Sequence, residues 1–149
     1  MGKIKRICVI ADSYPTKTDP RNPFIDQLVV AFTDLGIECT VINPFSLTKR
    51  FFRNTETRPK HWIKTTESGL INIYSPRYLT FSSKKFGFIN TNSINLKLFT
   101  QSCLRVLNKI GTDFDAVYGH FIFPAGITAN TISEKFKIPA FLAYGENTN

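Results

Sequence analysis

Glycine is missing where a nucleotide-binding protein would need it most. The chain of 149 residues has no G-x-G-x-x-G between its first apolar run and the helical pattern that follows, and no G-x-x-x-x-G-K-[ST] anywhere. Without these loops the backbone offers no close cradle for a pyrophosphate, which excludes the usual dinucleotide site and a P-loop. The whole segment from Asp12 to Phe24, DSYPTKTDPRNPF, lacks glycine. Paired cysteines are absent too. Cys8, Cys39 and Cys103 stand far apart with no C-x-x-C, which argues against a disulfide framework or a zinc site and for three buried, reduced thiols. No apolar run approaches the length of a membrane span, and the one in MGKIKRICVI is too brief for a signal peptide. Acids are scarce, 11 against 19 Lys and Arg, for a formal net charge of +8. Such an excess points to anionic partners, whether phosphorylated substrates, acidic lipids or nucleic acid, without choosing among them.

What is present describes one folded domain over residues 1–149. Hydrophobic residues at 42% and charged residues at 20% are the balance of a chain that buries a core. Ile4 to Ala11 is a β-branched apolar run, the pattern of a central strand buried on both faces. Phe24, Leu28, Ala31, Phe32 and Leu35 then recur at helical spacing and stop at Gly36. Glu38 to Asn43 is a second strand ended by Pro44, which completes a βαβ unit with a right-handed crossover. Residues 46–68 show no period and predict a long excursion, and Leu70 to Tyr74 alternates as a third strand. Leu96, Phe99, Cys103, Val106, Leu107 and Ile110 mark a helix from Asn92, with Ser93 as its N-cap and Gly111 as its stop. Asp115 to His120 is a strand, Pro124 to Phe136 a helix and Ile138 to Tyr144 the last strand. The alternation predicts a doubly wound, Rossmann-like α/β fold with a parallel sheet in the order 3-2-1-4-5.

In such sheets ligands gather beyond the carboxyl ends of the strands. Ser13, His120 and Tyr144 are expected to line that crevice. Lys17 and Arg21 in the first loop can attract an anion, or can be solvated charges on a loop shaped by Pro15, Pro20 and Pro23. His120 ends its strand in DAVYGHFIFPAG, where an imidazole can bond a sugar hydroxyl or a phosphate, or can serve only the local structure. Gly119 lets a ligand or neighbouring backbone come close. Glu146 can act as a base, and Tyr144 and Asn147 can bind hydroxyls. Neither a Ser-His-Asp constellation nor glycosidase-like paired carboxylates are evident. Lys49 to Lys64, KRFFRNTETRPKHWIK, sets six Lys or Arg against one acid among Phe51, Phe52 and Trp62. That mixture suits an anionic membrane surface or single-stranded nucleic acid, or a surface loop whose rings pack back on the core.

Two stretches resemble the N-terminal half of glycosyltransferase family 4, also called group 1. ICVIADSYPTKTDPRNPFIDQLVVAFTDLGIECTVINP is similar to the family's first βαβ unit, with its S-Y-P, L-G and V-T-V-I-x-P. DAVYGHFIFPAGITANTISEKFKIPAFLAYGENTN is similar to its D-h-I-H-x-H-F-x-x-P-x-G, helix and T-x-H-G-S-D. His120 matches the second histidine of H-x-H, with Tyr118 in place of the first. Tyr144 stands at the H-G-S-D histidine, which in relatives contacts the transferred sugar. Gly145 keeps the glycine, and Glu146 and Asn147 replace Ser and Asp. Asn22 and Pro23 lie where many relatives carry a first-loop glycine.

The resemblance implies one half of a GT-B fold: an acceptor-side domain, truncated before a C-terminal donor domain with an E-x7-E motif. His120 and Tyr144 would be catalytic. Ser13, Tyr14, Lys17, Arg21, Gly119, Gly145, Glu146 and Asn147 would bind substrate. The full enzyme would move a sugar, with retention, from a nucleotide-sugar donor to a saccharide or lipid-linked acceptor in cell-surface polysaccharide synthesis, with no metal and no other cofactor. It would be cytoplasmic, peripheral on the inner face of the membrane, with Lys49 to Lys64 against anionic lipid and nucleic acid not among its partners. The competing reading is a non-catalytic, flavodoxin-like module that binds an anionic ligand.

Overall fold

The central strand β1 (Arg6–Ile10) is apolar on both sides, and its residues divide between two cores. Cys8 and Ile10 face one way, Ile7 and Val9 the other, and all four are buried. A strand so placed needs both edges paired, because its amides have no water to turn to. β2 (Glu38–Ile42) and β7 (Ala116–His120) flank it in parallel. The computed structural model describes residues 2–53, 58–82, 88 and 90–144.

Among the described residues the main sheet has six strands, with β4 (His61–Thr65), β5 (Leu70–Tyr74) and β8 (Ala140–Ala143) in the order β4-β5-β2-β1-β7-β8. β5 and β8 extend its parallel part, and β4 runs antiparallel beside β5. The sequence predicts five parallel strands, and the addition is β4. HWIKT carries no apolar-polar alternation that would reveal an edge strand, because its exposed face holds Ile63 and its half-buried face holds Lys64. The supposed excursion holds more structure still. β3 (Phe45–Ser46) pairs with β6 (Arg77–Tyr78), and the short helix α2 (Leu47–Arg53) follows. Ser46 starts α2 by accepting a bond from the Lys49 amide at 3.1 Å.

One helix covers one face and two cover the other. α1 (Pro23–Asp34) opens on a proline and stops at Gly36, whose φ of 77° suits glycine. Its inward stripe is Ile25, Val29 and Thr33, while Phe24 and Leu35 of the expected stripe are exposed. Apolar residues cover so much of FIDQLVVAF that spacing alone could not select the stripe. α3 (Thr91–Ile110) buries Phe99, Cys103 and Leu107 as expected, and its N-cap is Asn90, which accepts from the Asn92 amide at 3.1 Å. Ser93 was expected there. Asn90 wins because its carboxamide reaches the second amide of the first turn. α4 (Ile127–Phe136) packs beside α3, with Thr100 and Thr128 hydroxyls 2.8 Å apart. Its expected start at Pro124 falls in a separate turn, Ile122–Gly126, which joins β7 to α4. The three cysteines are free and buried, and burial pushes the Cys8 thiol up to about 12.

That turn depends on two glycines. A Cβ at Gly119 would sit 2.7 Å from the Gly126 Cα, and one at Gly126 would sit 2.7 Å from the Phe121 carbonyl oxygen. Both contacts involve backbone, which cannot swing aside as a side chain can. Gly119→Ala should therefore destabilise the fold by about 2 kcal/mol. Urea denaturation monitored by circular dichroism reads the loss, and an unchanged midpoint would mean the turn does not pack so closely.

Candidate functional site

A concave space of about 1200 Å³ opens over the carboxyl ends of β1 and β2. Its walls come from the glycine-free loop after β1, from the turn at Asn43 to Ser46 and from the approach to β4. A smaller cavity of about 520 Å³ lies toward α3, where Asn92, Asn95 and Phe99 line it. Asp12, Lys49 and Tyr78 line both. Asp12 lies two residues beyond the central strand, exposed, on the wall of the crevice. Protein still crowds its carboxyl enough to raise its pKa by desolvation, an effect that Lys49 opposes.

Polar bonds hold the loop in shape where proline and glycine do not. Asn43, buried at the end of β2, donates from Nδ2 to the Ala11 carbonyl at 2.9 Å. Its Oδ1 accepts from Arg58 Nη1 at 2.7 Å. Arg58 Nη1 also points at the Tyr14 carbonyl at 3.4 Å, and its Nη2 lies 3.6 Å from Asp19. Asp19 takes a two-pronged bond from Arg21, at 2.7 Å on each oxygen, which holds its carboxyl below the usual range. The guanidinium groups of Arg58 and Arg77 stand 5.2 and 4.8 Å from the Phe45 ring centre. Burial lowers the Arg58 pKa, which Asp19 counters and Arg77 and Arg21 reinforce.

The residues picked out in sequence divide into three groups. Ser13, Lys17 and Arg21 line the larger cavity. Tyr14 also lines it, but the side chain is buried and its hydroxyl donates to Asp26 at 2.6 Å, in an arrangement completed by Lys64 at 2.5 Å. Burial and that carboxylate raise the phenol's pKa. His120 and Tyr144 line neither cavity, so the expected meeting of Ser13, His120 and Tyr144 is not what the described residues show. Gly119 is buried, and the space its side chain lacks is taken by Gly126 rather than left open to a ligand. Tyr144, one residue beyond the Ala143 that pairs with His120, is exposed. Gly145, Glu146 and Asn147 lie outside the described residues.

His120 has a definite local chemistry. Its Nδ1 lies 3.2 Å from the Tyr118 hydroxyl, and Phe121 packs against the ring with centroids 4.3 Å apart. The two groups can share a hydrogen bond in either direction, according to which imidazole nitrogen carries the proton. Phe121 then turns the chain with a φ of 67° and ψ of 161°, backbone space that costs about 1–3 kcal/mol outside glycine.

The chain matches no protein-family model and no curated protein. Its chemistry is therefore read from the side chains themselves. Asp12, Asn43, Arg58 and Lys64 are the site residues that sequence reasoning passed over. Asn43 had a usable signal, a polar residue at a strand end just before Pro44. Arg58 and Lys64 had only a charge signal, as members of the basic stretch Lys49 to Lys64, whose composition suits a membrane-facing, nucleic-acid-binding or loop surface rather than a crevice wall. Lys49 to Lys64 also proves to be two surfaces. Trp62 packs on the core, whereas Phe51 and Phe52 are 85% and 79% exposed in an edge-to-face pair 5.6 Å apart. Residues 54–57 of that stretch lie outside the described residues. Among the described residues no cluster of His, Cys, Asp and Glu is placed to hold a metal, and no helix is long and apolar enough to cross a membrane.

Partial burial lowers the His120 pKa below its ordinary 6.5. A folded imidazole that resists protonation contributes no penalty above that value. As pH falls through 6.5 the unfolded chain takes up a proton that the folded one refuses, so stability drops until the folded pKa is reached. Proton NMR of the ring should place the His120 midpoint below 6.5, and a midpoint above it would contradict the half-buried setting.

Proposed function

We propose that this chain is the acceptor-side half of a retaining, metal-independent glycosyltransferase of GT-B architecture. The reading rests on one observation above all, the roomy polar crevice at the carboxyl ends of β1 and β2. It is supported by the two stretches that resemble glycosyltransferase family 4. A further support is the apolar rim formed by Phe121, Ile122, Phe123, Phe141 and Leu142, each 41–53% exposed. Exposed apolar side chains gathered near one edge of the sheet suit contact with another domain. In this reading a second domain holds the nucleotide-sugar donor and the present one holds the saccharide or lipid-linked acceptor. The strand order 3-2-1-4-5, counted without β4, belongs to the same proposal.

Division between two domains sets what each can do. Transfer requires both reactants in attack geometry and stabilisation of the departing diphosphate, and this chain supplies only the acceptor's place. His120 is the group proposed to bond a sugar hydroxyl at the junction. Residues 1–149 alone should give no product with nucleotide sugars, whereas the chain joined to its donor domain should transfer sugar. In that intact protein His120→Ala should reduce turnover by about a hundredfold, the scale of one well-placed polar group. An unchanged rate would remove His120 from the site, and efficient transfer by residues 1–149 would remove the division of labour. Saturable binding of a small anion with no transfer by the joined protein would favour the flavodoxin-like module instead.

The same enzyme is proposed to work in the cytoplasm at the inner face of the membrane. Phe51 and Phe52 stand out from α2, where Lys49 and Arg50 precede them, so rings and cations share one short helix. Each cation near an anionic leaflet contributes about 1 kcal/mol, weakened by salt. Co-sedimentation with vesicles containing phosphatidylserine should exceed that with neutral vesicles, and Phe51→Ser with Phe52→Ser should reduce it severalfold. Equal binding to both vesicle types would exclude docking by charge.

A further inference from the structure

We propose that the larger crevice is a binding site for a phosphoryl group carried on a saccharide, so that the acceptor side of this protein takes a phosphorylated sugar. The proposal deepens the acceptor reading and depends on it only for the word acceptor.

The charge count in the crevice comes first. Lys17, Arg21, Lys49, Arg58 and Lys64 line it. The carboxylates of Asp12, Asp19 and Asp26 line it as well, which leaves two positive charges in excess among the described residues. The deficit has an address. Lys64 is satisfied by Asp26 at 2.5 Å, and Lys49 shares the walls of both cavities with Asp12. Asp19 alone serves both Arg21 at 2.7 Å and Arg58 at 3.6 Å, while Lys17 has no ion pair among the described residues. An anion entering between the loop and Arg58 would supply the counter-charge that Asp19 divides.

The second strand of the argument is that Arg58 is held ready. Its guanidinium is fixed by Asn43 and the Phe45 ring, and the side chain is only 15% exposed. It therefore loses little freedom when a ligand arrives, unlike a surface lysine. Two excess charges match a phosphate monoester, which carries about −1.5 to −2 at neutral pH, better than a single carboxylate. The rest of the wall suits a sugar. The Trp62 ring offers a flat apolar surface, and Ser13, Thr16 and Thr18 offer hydroxyls. At about 1200 Å³ the space exceeds what a bare phosphate needs.

The test is binding, measured on the 149-residue chain by isothermal titration and by amide shifts in ¹⁵N spectra. The ligands are glucose 1-phosphate, glucuronate, glucose and a prenyl-diphosphate-linked glucose in micelles. Glucose 1-phosphate should bind in a salt-sensitive way, shift amides between residues 12 and 21, and exceed both glucuronate and glucose. Tighter binding of the prenyl form would assign the phosphoryl group to a lipid carrier, and equal binding to a soluble sugar phosphate. Lys17→Gln combined with Arg21→Gln, two exposed positions whose change leaves the core alone, should weaken binding about tenfold. Lys109→Gln, with the same kind of charge loss at the far end of α3, should leave it unchanged. Equal affinity for glucose and glucose 1-phosphate, shifts confined to other surfaces, or equal losses in the Lys109 variant would each overturn the proposal. No transfer is required. A joined enzyme that failed to transfer sugar would sink the function proposed above and leave this site standing, and loss of phosphate binding in an active enzyme would do the reverse.

Discussion

Burial of β1 on both faces is the constraint on which the rest of the molecule depends. Its four innermost side chains are divided between two cores, and its backbone bonds are taken by β2 on one side and β7 on the other. Helices must then cover both faces, because an uncovered face would return Ile7 and Val9, or Cys8 and Ile10, to water. α1 closes one and α3 with α4 closes the other. With parallel neighbours on both sides, the chain leaves β1, β2 and β7 at the same end of the sheet. Polar loops accumulate there, since that is where the strands run out of partners.

At that end, shape comes from side-chain bonds rather than from loop residues with special backbone freedom. Asn43 is the pivot: one carboxamide joins the last carbonyl of the β1 region to the guanidinium of Arg58. Buried amides and guanidinium groups are expensive unless satisfied, so removing either partner would cost more than the bond itself contributes. The network also explains how a loop with three prolines and no glycine can frame a cavity. Arg21, Asp19 and Arg58 fasten its far side, and Tyr14, Asp26 and Lys64 fasten its near side to α1 and β4.

The β7 end is built on a different principle. Gly119 and Gly126 bring the turn before α4 so close to the strand that no side chain fits between them. Phe121 is bent into costly backbone space as a result, directly after His120. Glycine here serves packing, and the exposed rings beside it form a surface distinct from the charged crevice. The molecule thus presents two unlike regions at one end: a cationic hollow over β1 and β2, and an apolar rim around β7 and β8.

Much of the fold was legible in the residue pattern because period reports burial. β1, β2, β5, β7 and β8 each bear a compact apolar run, α3 carries a clean stripe, and Gly36 and Gly111 stop helices where only glycine relaxes at positive φ. The α1 stripe was misread because a helix apolar around most of its circumference leaves the choice of face to the sheet. Ser13, Lys17 and Arg21 were legible as crevice residues, since position after a strand end suffices to place them. Asn43, Arg58 and Lys64 were not, because their roles consist of contacts made 15 to 44 residues apart in sequence. The sequence by itself determined the alternation of buried strands and amphipathic helices and the basic character of the chain, both of which follow from local composition. Only the tertiary structure decided that Arg58 should meet Asn43, that β4 should edge the sheet, and that His120 should stand apart from the cavity, because each is settled by which surfaces the packed core leaves open.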